Sequence, residues 1–303
     1  MSQKISAKIE VTVIDRRIKM SEIITISNGI ISASINTFGA ELISLKKGDF
    51  ENIWQGNPDI WSGHAPILFP VCGRLRDEKY IYCGREYFLA DHGFARCSLF
   101  VLEEKGDSWA TFLLKSNEKT LEVYPFSFEF RAKFSLVDNT LITEYIITNT
   151  HNKEIYFSVG SHEAYACPEG IEEYSLVFDA EENLENSLLT GPLLNHQHDH
   201  FGITSELPLK YEYFPERDTL IFEKLKTKNV TLIHRPTGRK IRIDFTGADN
   251  LLIWTMDGAK FICIEPWCGL PDFIDTDGDI AKKAGIMTLA PDQTIKKSHT
   301  IIF

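Results

Sequence analysis

The segment Phe261-Ile-Cys-Ile-Glu-Pro-Trp267 alternates so that Phe261, Cys263 and Glu265 share one face of an extended chain and Ile262 and Ile264 the other. A carboxylate is thereby set at the end of an apolar strand. Burial beside Phe261 and Cys263 disfavours its charge and raises its proton affinity toward neutral pH, as a general base requires. The competing reading is a glutamate that has emerged at the sheet rim and pairs with a lysine, because structural ion pairs perturb carboxylates too. A second segment, Ile155-Tyr-Phe-Ser-Val-Gly-Ser-His162, puts Tyr156, Ser158, Gly160 and His162 on a common face, with small residues beside the imidazole that leave room for a ligand. Taken alone, a core histidine bonded to a carbonyl is the simpler account. A third pair of segments, Cys72-Gly-Arg-Leu-Arg76 and Asp91-His-Gly-Phe-Ala-Arg96, gathers Arg74, Arg76, Arg96 and His92 around two loop glycines. Glycine lets backbone approach a ligand, and the guanidinium fork suits hydroxyls, carboxylates or phosphate, although surface loops often have this composition.

Two other clusters fail on spacing. His196-Gln-His-Asp-His200 is one residue short of a zinc-hydrolase H-x-H-x-D-H and reads as a solvated loop. Asp275-Thr-Asp-Gly-Asp279 has the acidic density of a calcium loop, but its glycine is at the fourth position and its twelfth residue is Ile286, so it reads as a turn. No phosphate-binding glycine loop and no G-x-S-x-G elbow is present.

Strands must position these groups. A two-residue hydrophobic period recurs over residues 30–37, 110–115, 128–138, 141–149, 155–161, 230–234, 240–245 and 294–303, and residues 21–28 read as an edge strand. Turn formers such as Asn28-Gly29, Asp138-Asn139, Thr237-Gly238 and Asp257-Gly258 separate the runs. Helical stripes are lacking, residues 279–284 making at most one or two turns. Twenty Phe and ten Tyr suit broad sheets packed face to face. The expectation is an all-β chain: one large antiparallel sandwich domain over residues 21–303, with residues 1–20 a poorly packed extension.

The 303 residues carry 43 Asp plus Glu against 32 Lys plus Arg, a net charge of −11. A long-range field of that sign argues against nucleic acid and anionic membrane as partners and favours small neutral ligands. Neither an export signal nor a run of about 20 apolar residues is present, and six sparse cysteines form no C-x-x-C pair, so a cytoplasmic protein with reduced thiols is expected.

In chain order, Gly73-Arg74, His92-Gly93, Gly160-Ser-His162 and Cys263-Ile-Glu265-Pro-Trp267 resemble the aldose 1-epimerase (galactose mutarotase) superfamily, most nearly its LacX-like branch. The likeness runs from about residue 24 to the carboxyl end and includes residues 31–45. It implies a galactose mutarotase-like β-supersandwich with very little helix and a sugar groove across one sheet. It also implies Glu265 as general base, His162 as general acid, and His92 and Arg74 as holders of the ring and its hydroxyls. Asp218, in Phe214-Pro-Glu-Arg-Asp-Thr-Leu-Ile-Phe222, is the best match for a further hydroxyl ligand. Trp267 and Phe94 would offer apolar faces to the sugar. Interconversion of α and β anomers by such an isomerase requires a base and an acid across one pyranose, and neither metal nor coenzyme. A sister group acting on hexose 6-phosphates carries the H-G-F-A-R run as well, which makes Arg96, with Arg74 or Arg76, a candidate phosphate clamp. A non-catalytic carbohydrate-binding protein of the same fold is the third reading. In one place the chain departs from the LacX-like pattern: Glu163, not proline, follows His162. Its expected effect is a changed tilt of His162 or a carboxylate near the groove rim.

Overall fold

A computed structural model describes residues 21–215 and 219–303. The proposed extension at residues 1–20 and the candidate Asp218 lie outside the described residues. Two kinds of sequence pattern build the sheets. In Phe128–Val137 every second residue, Phe128, Phe130, Ala132, Phe134 and Leu136, is buried while Arg131 and Lys133 point outward. Each fully buried phenylalanine contributes about 2 kcal/mol from apolar area removed from water. In Phe261–Cys268, by contrast, all eight residues are buried, because this strand has protein on both faces.

Among the described residues the largest sheet has 15 antiparallel strands. From one edge it runs through Ile67–Leu68, Val159–Ser161, Phe261–Cys268, Asn250–Trp254, Leu220–Glu223 and Tyr174–Thr190. It continues through Asn229–His234, Lys240–Asp244, Thr294–Ile302, Thr140–Asn149, Phe128–Val137 and Trp109–Lys115 to Val101–Lys105. Glu163–Ala166 adds to Phe261–Cys268, and Leu193–Pro208 to Tyr174–Thr190. A four-stranded sheet, starting with Ile23–Ser27 and Ile31–Asn36, packs Ile26, Ile31, Ile35 and Leu42 into the same core as Phe130, Tyr145, Ile262 and Ile264. The all-β supersandwich expected from the sequence is present, with the turns at Asn28-Gly29, Asp138-Asn139 and Thr237-Gly238 closing hairpins.

Three local expectations need correction. Residues 155–161 are not one strand: the chain breaks at Ser158, whose N–H donates to Pro70 O at 2.7 Å, and Ile155–Phe157 pairs instead with Met287–Leu289. Tyr156 therefore packs against Phe126 and Tyr82, away from His162. Residues 196–200 belong to the strand Leu193–Pro208, not to a loop; most of that strand is exposed on both faces, so it has no hydrophobic period to reveal it. A six-residue helix, Glu118–Val123, has a reciprocal cap between Asn117 and Thr120 but is too short to show a stripe. Among the described residues no helix is long and apolar enough to cross a membrane, and all six cysteines are free.

Candidate active site

Strand register brings the two central residues together. Gly160 pairs with Trp267 and Glu163 with Ile264, so His162, at the joint between Val159–Ser161 and Glu163–Ala166, falls opposite Glu265. His162 Nε2 is 3.4 Å from Glu265 Oε1, and the pair forms part of the wall of a groove of about 850 Å³. Glu265 is 1% exposed, whereas His162 keeps 13% of its side chain open to solvent. Burial, and next the charge of Glu163, hold the Glu265 carboxyl well above the usual carboxylate range. Burial, then His92 and Arg96, push His162 down to about 3. With no sugar present the uncharged arrangement of the pair is favoured, its proton on Glu265. Glu265 Oε2 and His162 Nδ1 have no hydrogen-bond partner among the described residues.

His92 and the arginines form the adjoining wall. The His92 ring meets His162 edge-on at 5.7 Å and Trp267 at 5.4 Å. Its Nδ1 accepts from the Gly73 N–H at 3.1 Å, and burial, Arg96 and Arg74 lower its pKa to about 3. The ring is thus neutral with its proton on Nε2, which makes His92 a hydrogen-bond donor. Arg74 lies 3.6 Å from Asp91, while Arg96 makes no ion pair with a described residue; both line the groove, and the buried Nε of each has no hydrogen-bond partner among the described residues. A buried ion pair fixes this wall from behind. Lys283 Nζ donates to Asp272 Oδ1 at 2.8 Å and to Leu270 O at 2.7 Å, and the Asp272 N–H donates to Arg74 O at 2.9 Å.

The structure relocates several residues. Arg76 is not in the groove wall; it reaches Ile274 O on the outer side. Phe94 packs against the core residues Phe69 and Phe128, its N–H donating to Phe69 O at 3.0 Å. Gly73 and Gly93 are each required by the protein's own packing. A Cβ on Gly93, at φ 71°, would lie 2.3 Å from Phe69 O, and one on Gly73 would lie 2.7 Å from Pro271 Cγ. The space beside Gly160 is likewise taken, by the Trp267 indole, to which a Cβ would come within 2.8 Å. Glu163 is not at the rim: it is 3% exposed on the opposite face of the sheet, bonded to His299. Trp61, stacked on His162 at 5.3 Å, and Trp254, edge-on to it at 5.5 Å, were missed. Counting back from the turn at Asp257-Gly258 would have found Trp254, which pairs with Cys263 and so shares the face of Glu265.

His162, Cys263 and Glu265 offer ligand atoms within 4.8 Å of one another. Burial drives the Cys263 thiol pKa well up and so opposes the thiolate a metal would need. His196, 54% exposed, stacks on Phe273 and bonds Asp275, outside the groove.

A family model described as aldose 1-epimerase matches residues 22–301. The chain belongs to the aldose 1-epimerase family. It is 34% identical over 301 residues to the plasmid-borne protein LacX of Lactococcus lactis subsp. lactis, covering 92% of this chain and 98% of that protein. Among solved structures it is similar to a galactose mutarotase related enzyme from Lactobacillus acidophilus, at 33% identity and TM-score 0.87, covering 93% of this chain and 97% of the other. It is also similar to a galactose mutarotase-like protein from Lactobacillus casei ATCC 334, at 28% identity and TM-score 0.86, with 93% and 99% covered. The family and fold expected from the ordered motifs are thereby established.

Proposed function

We propose that this protein is an isomerase that interconverts the α and β anomers of an aldohexose, with Glu265 as general base and His162 as general acid. The observation that carries the reading is the buried carboxylate–imidazole pair of Glu265 and His162, 3.4 Å apart, in the wall of a groove of about 850 Å³. Glu265 takes the proton of the C1 hydroxyl as C1=O forms, the C1–O5 electron pair moves to O5, and O5 takes the proton of His162. After half a turn about C1–C2, closure returns both protons. The pair carries one proton throughout: Glu265 ionised with His162 charged while the ring is closed, both neutral while it is open. Burial favours the neutral arrangement, and a sugar hydroxyl donating to Glu265 lowers the cost of the ionised one. Acid–base assistance of this kind is worth roughly 10²- to 10⁴-fold.

His92 Nε2–H and Arg74 donate to ring hydroxyls in this reading, and Trp267 covers an apolar edge. Asp218 stays a candidate ligand; its described neighbours Pro215 and Thr219 line the groove. Residues 21–303 act as one unit in this reading, since the residues that line the groove are spread along the chain from Ile60 to Pro271. The family's chemistry is that of sugars, and a cytoplasmic site of action fits the free thiols. Exchange between the α and β H1 resonances of equilibrated aldoses, followed by NMR, tests the reading; no added exchange with any aldose or its 6-phosphate would leave a binding protein.

One observation favours a phosphorylated substrate as a second reading: Arg96 lines the groove beside Arg74 and makes no ion pair with any described residue. Charge-assisted bonds are worth about 1.5 to 3 kcal/mol. On that reading Arg96→Ala lowers kcat/KM for hexose 6-phosphate at least about tenfold more than for the free hexose. Equal losses on the two substrates remove the phosphate role.

A further inference from the structure

His162 and Glu265 face the groove, and the residues next to them, Glu163 and Ile264, pair with each other across the strands. Alternation therefore sends the Glu163 side chain through the opposite face of the sheet, directly beneath the acid–base pair. There Glu163, 3% exposed, accepts a hydrogen bond from His299 Nε2 at 2.8 Å, and His299 itself is 3% exposed on the last strand, Thr294–Ile302. A carboxylate in an apolar core is costly unless it is paired. Burial opposes the charge of Glu163, but the interaction and hydrogen bond with His299 outweigh it and hold the carboxyl below its ordinary range. At neutral pH the sheet therefore carries a fixed anion under the groove.

We propose that Glu163, anchored by His299, is an electrostatic positioning residue: its buried anion lies under His162 and Glu265 and sets the pH range over which those two share one proton. The inference rests on the acid–base roles proposed above. An anion favours the protonated form of both neighbours, and Glu163 acts in that direction on His162 and on Glu265. The other groups that bear on the pair are Asp91, His92, Arg96 and Arg74 from the groove side and Cys263 and Cys72 nearby; Tyr145, Tyr165 and His299 face Glu163 from the core. Burial keeps the neighbouring cysteines and tyrosines neutral, and Glu163 acts on Glu265 more strongly than Asp91 does, so removing Glu163 removes the main negative charge that keeps the proton on the pair.

Glu163→Gln tests this, since the amide still accepts from His299. Both limbs of the pH profile of kcat/KM for anomer exchange are expected to move to lower pH by about one unit. A merely structural role would lower the rate without moving the limbs. A second readout needs no turnover: in protein carrying ¹³C-labelled glutamate carboxyls, the Glu265 resonance, assigned by its loss in Glu265→Gln, is expected to titrate about one unit lower in Glu163→Gln. Should wild type turn over no sugar, the proposed activity fails while this titration still decides the inference. Should Glu163→Gln not fold, Glu163→Gln with His299→Gln supplies an uncharged pair for the same measurement. An unmoved Glu265 midpoint in a folded variant overturns the proposal.

Discussion

Glu265→Gln is expected to lower kcat/KM for anomer exchange by roughly 10²- to 10⁴-fold, with the loss in kcat, because the amide keeps the shape of the side chain but accepts no proton. The same variant is expected to gain stability at alkaline pH. The carboxyl of Glu265 has its folded pKa raised above the unfolded value, so its contribution to stability is complete below the unfolded pKa near 4.5 and is lost as pH rises through the folded value. A neutral amide removes that dependence. Thermal unfolding followed from pH 5 to pH 9 should therefore show wild type losing ground to Glu265→Gln as pH rises. A variant equally stable relative to wild type at both ends would contradict the burial argument, and one with full activity would remove Glu265 from the chemistry.

His162→Ala is expected to cost a comparable factor in kcat, since ring opening then lacks a proton for O5. Because acid and base act on one proton inventory, the double variant with Glu265→Gln should lose scarcely more than either single change. Truncation also leaves space beside Trp61 and Trp254, which both contact the imidazole ring, so some loss of stability accompanies it. That loss depends on pH. With its folded pKa depressed to about 3, His162 contributes fully above the ordinary histidine value near 6.5 and progressively less as pH falls toward 3. The gap between wild type and His162→Ala in denaturant unfolding should accordingly narrow on acidification. A gap that widens would mean that His162 is charged in the folded protein.

How far the sequence could be read depended on whether one strand or several decided a feature. Alternation alone put Phe261, Cys263 and Glu265 on one face, and burial there raised the carboxyl as a single-strand argument requires. The same logic misread residues 155–161, where Ser158 leaves the strand to bond Pro70, a partner almost ninety residues away in sequence. Spacing also could not show that Gly160 makes room for Trp267 rather than for a ligand, or that Gly93 is required by Phe69 O. Those are contacts between segments, and they are set by register. Register was only partly available: closure about the turn at Asp257-Gly258 puts Trp254 on the face shared by Phe261 and Cys263, its partner in the structure being Cys263, whereas the pairing of Gly160 with Trp267 that sets His162 against Glu265 joins segments far apart in sequence. Glu163 shows the limit most clearly. Its neighbour His162 suggested the groove rim, but one further residue along a strand is the other face, and its partner His299 comes from the last strand of the chain.

The central claim, that the His162–Glu265 pair opens and closes a sugar ring, is tested most directly by polarimetry on freshly dissolved α-glucose and α-galactose, with glucose 6-phosphate followed by NMR exchange. Wild type is predicted to bring at least one of these to anomeric equilibrium faster than buffer alone, and Glu265→Gln to leave it near the buffer rate. Relaxation at the buffer rate for all three sugars with folded wild-type protein would contradict the account.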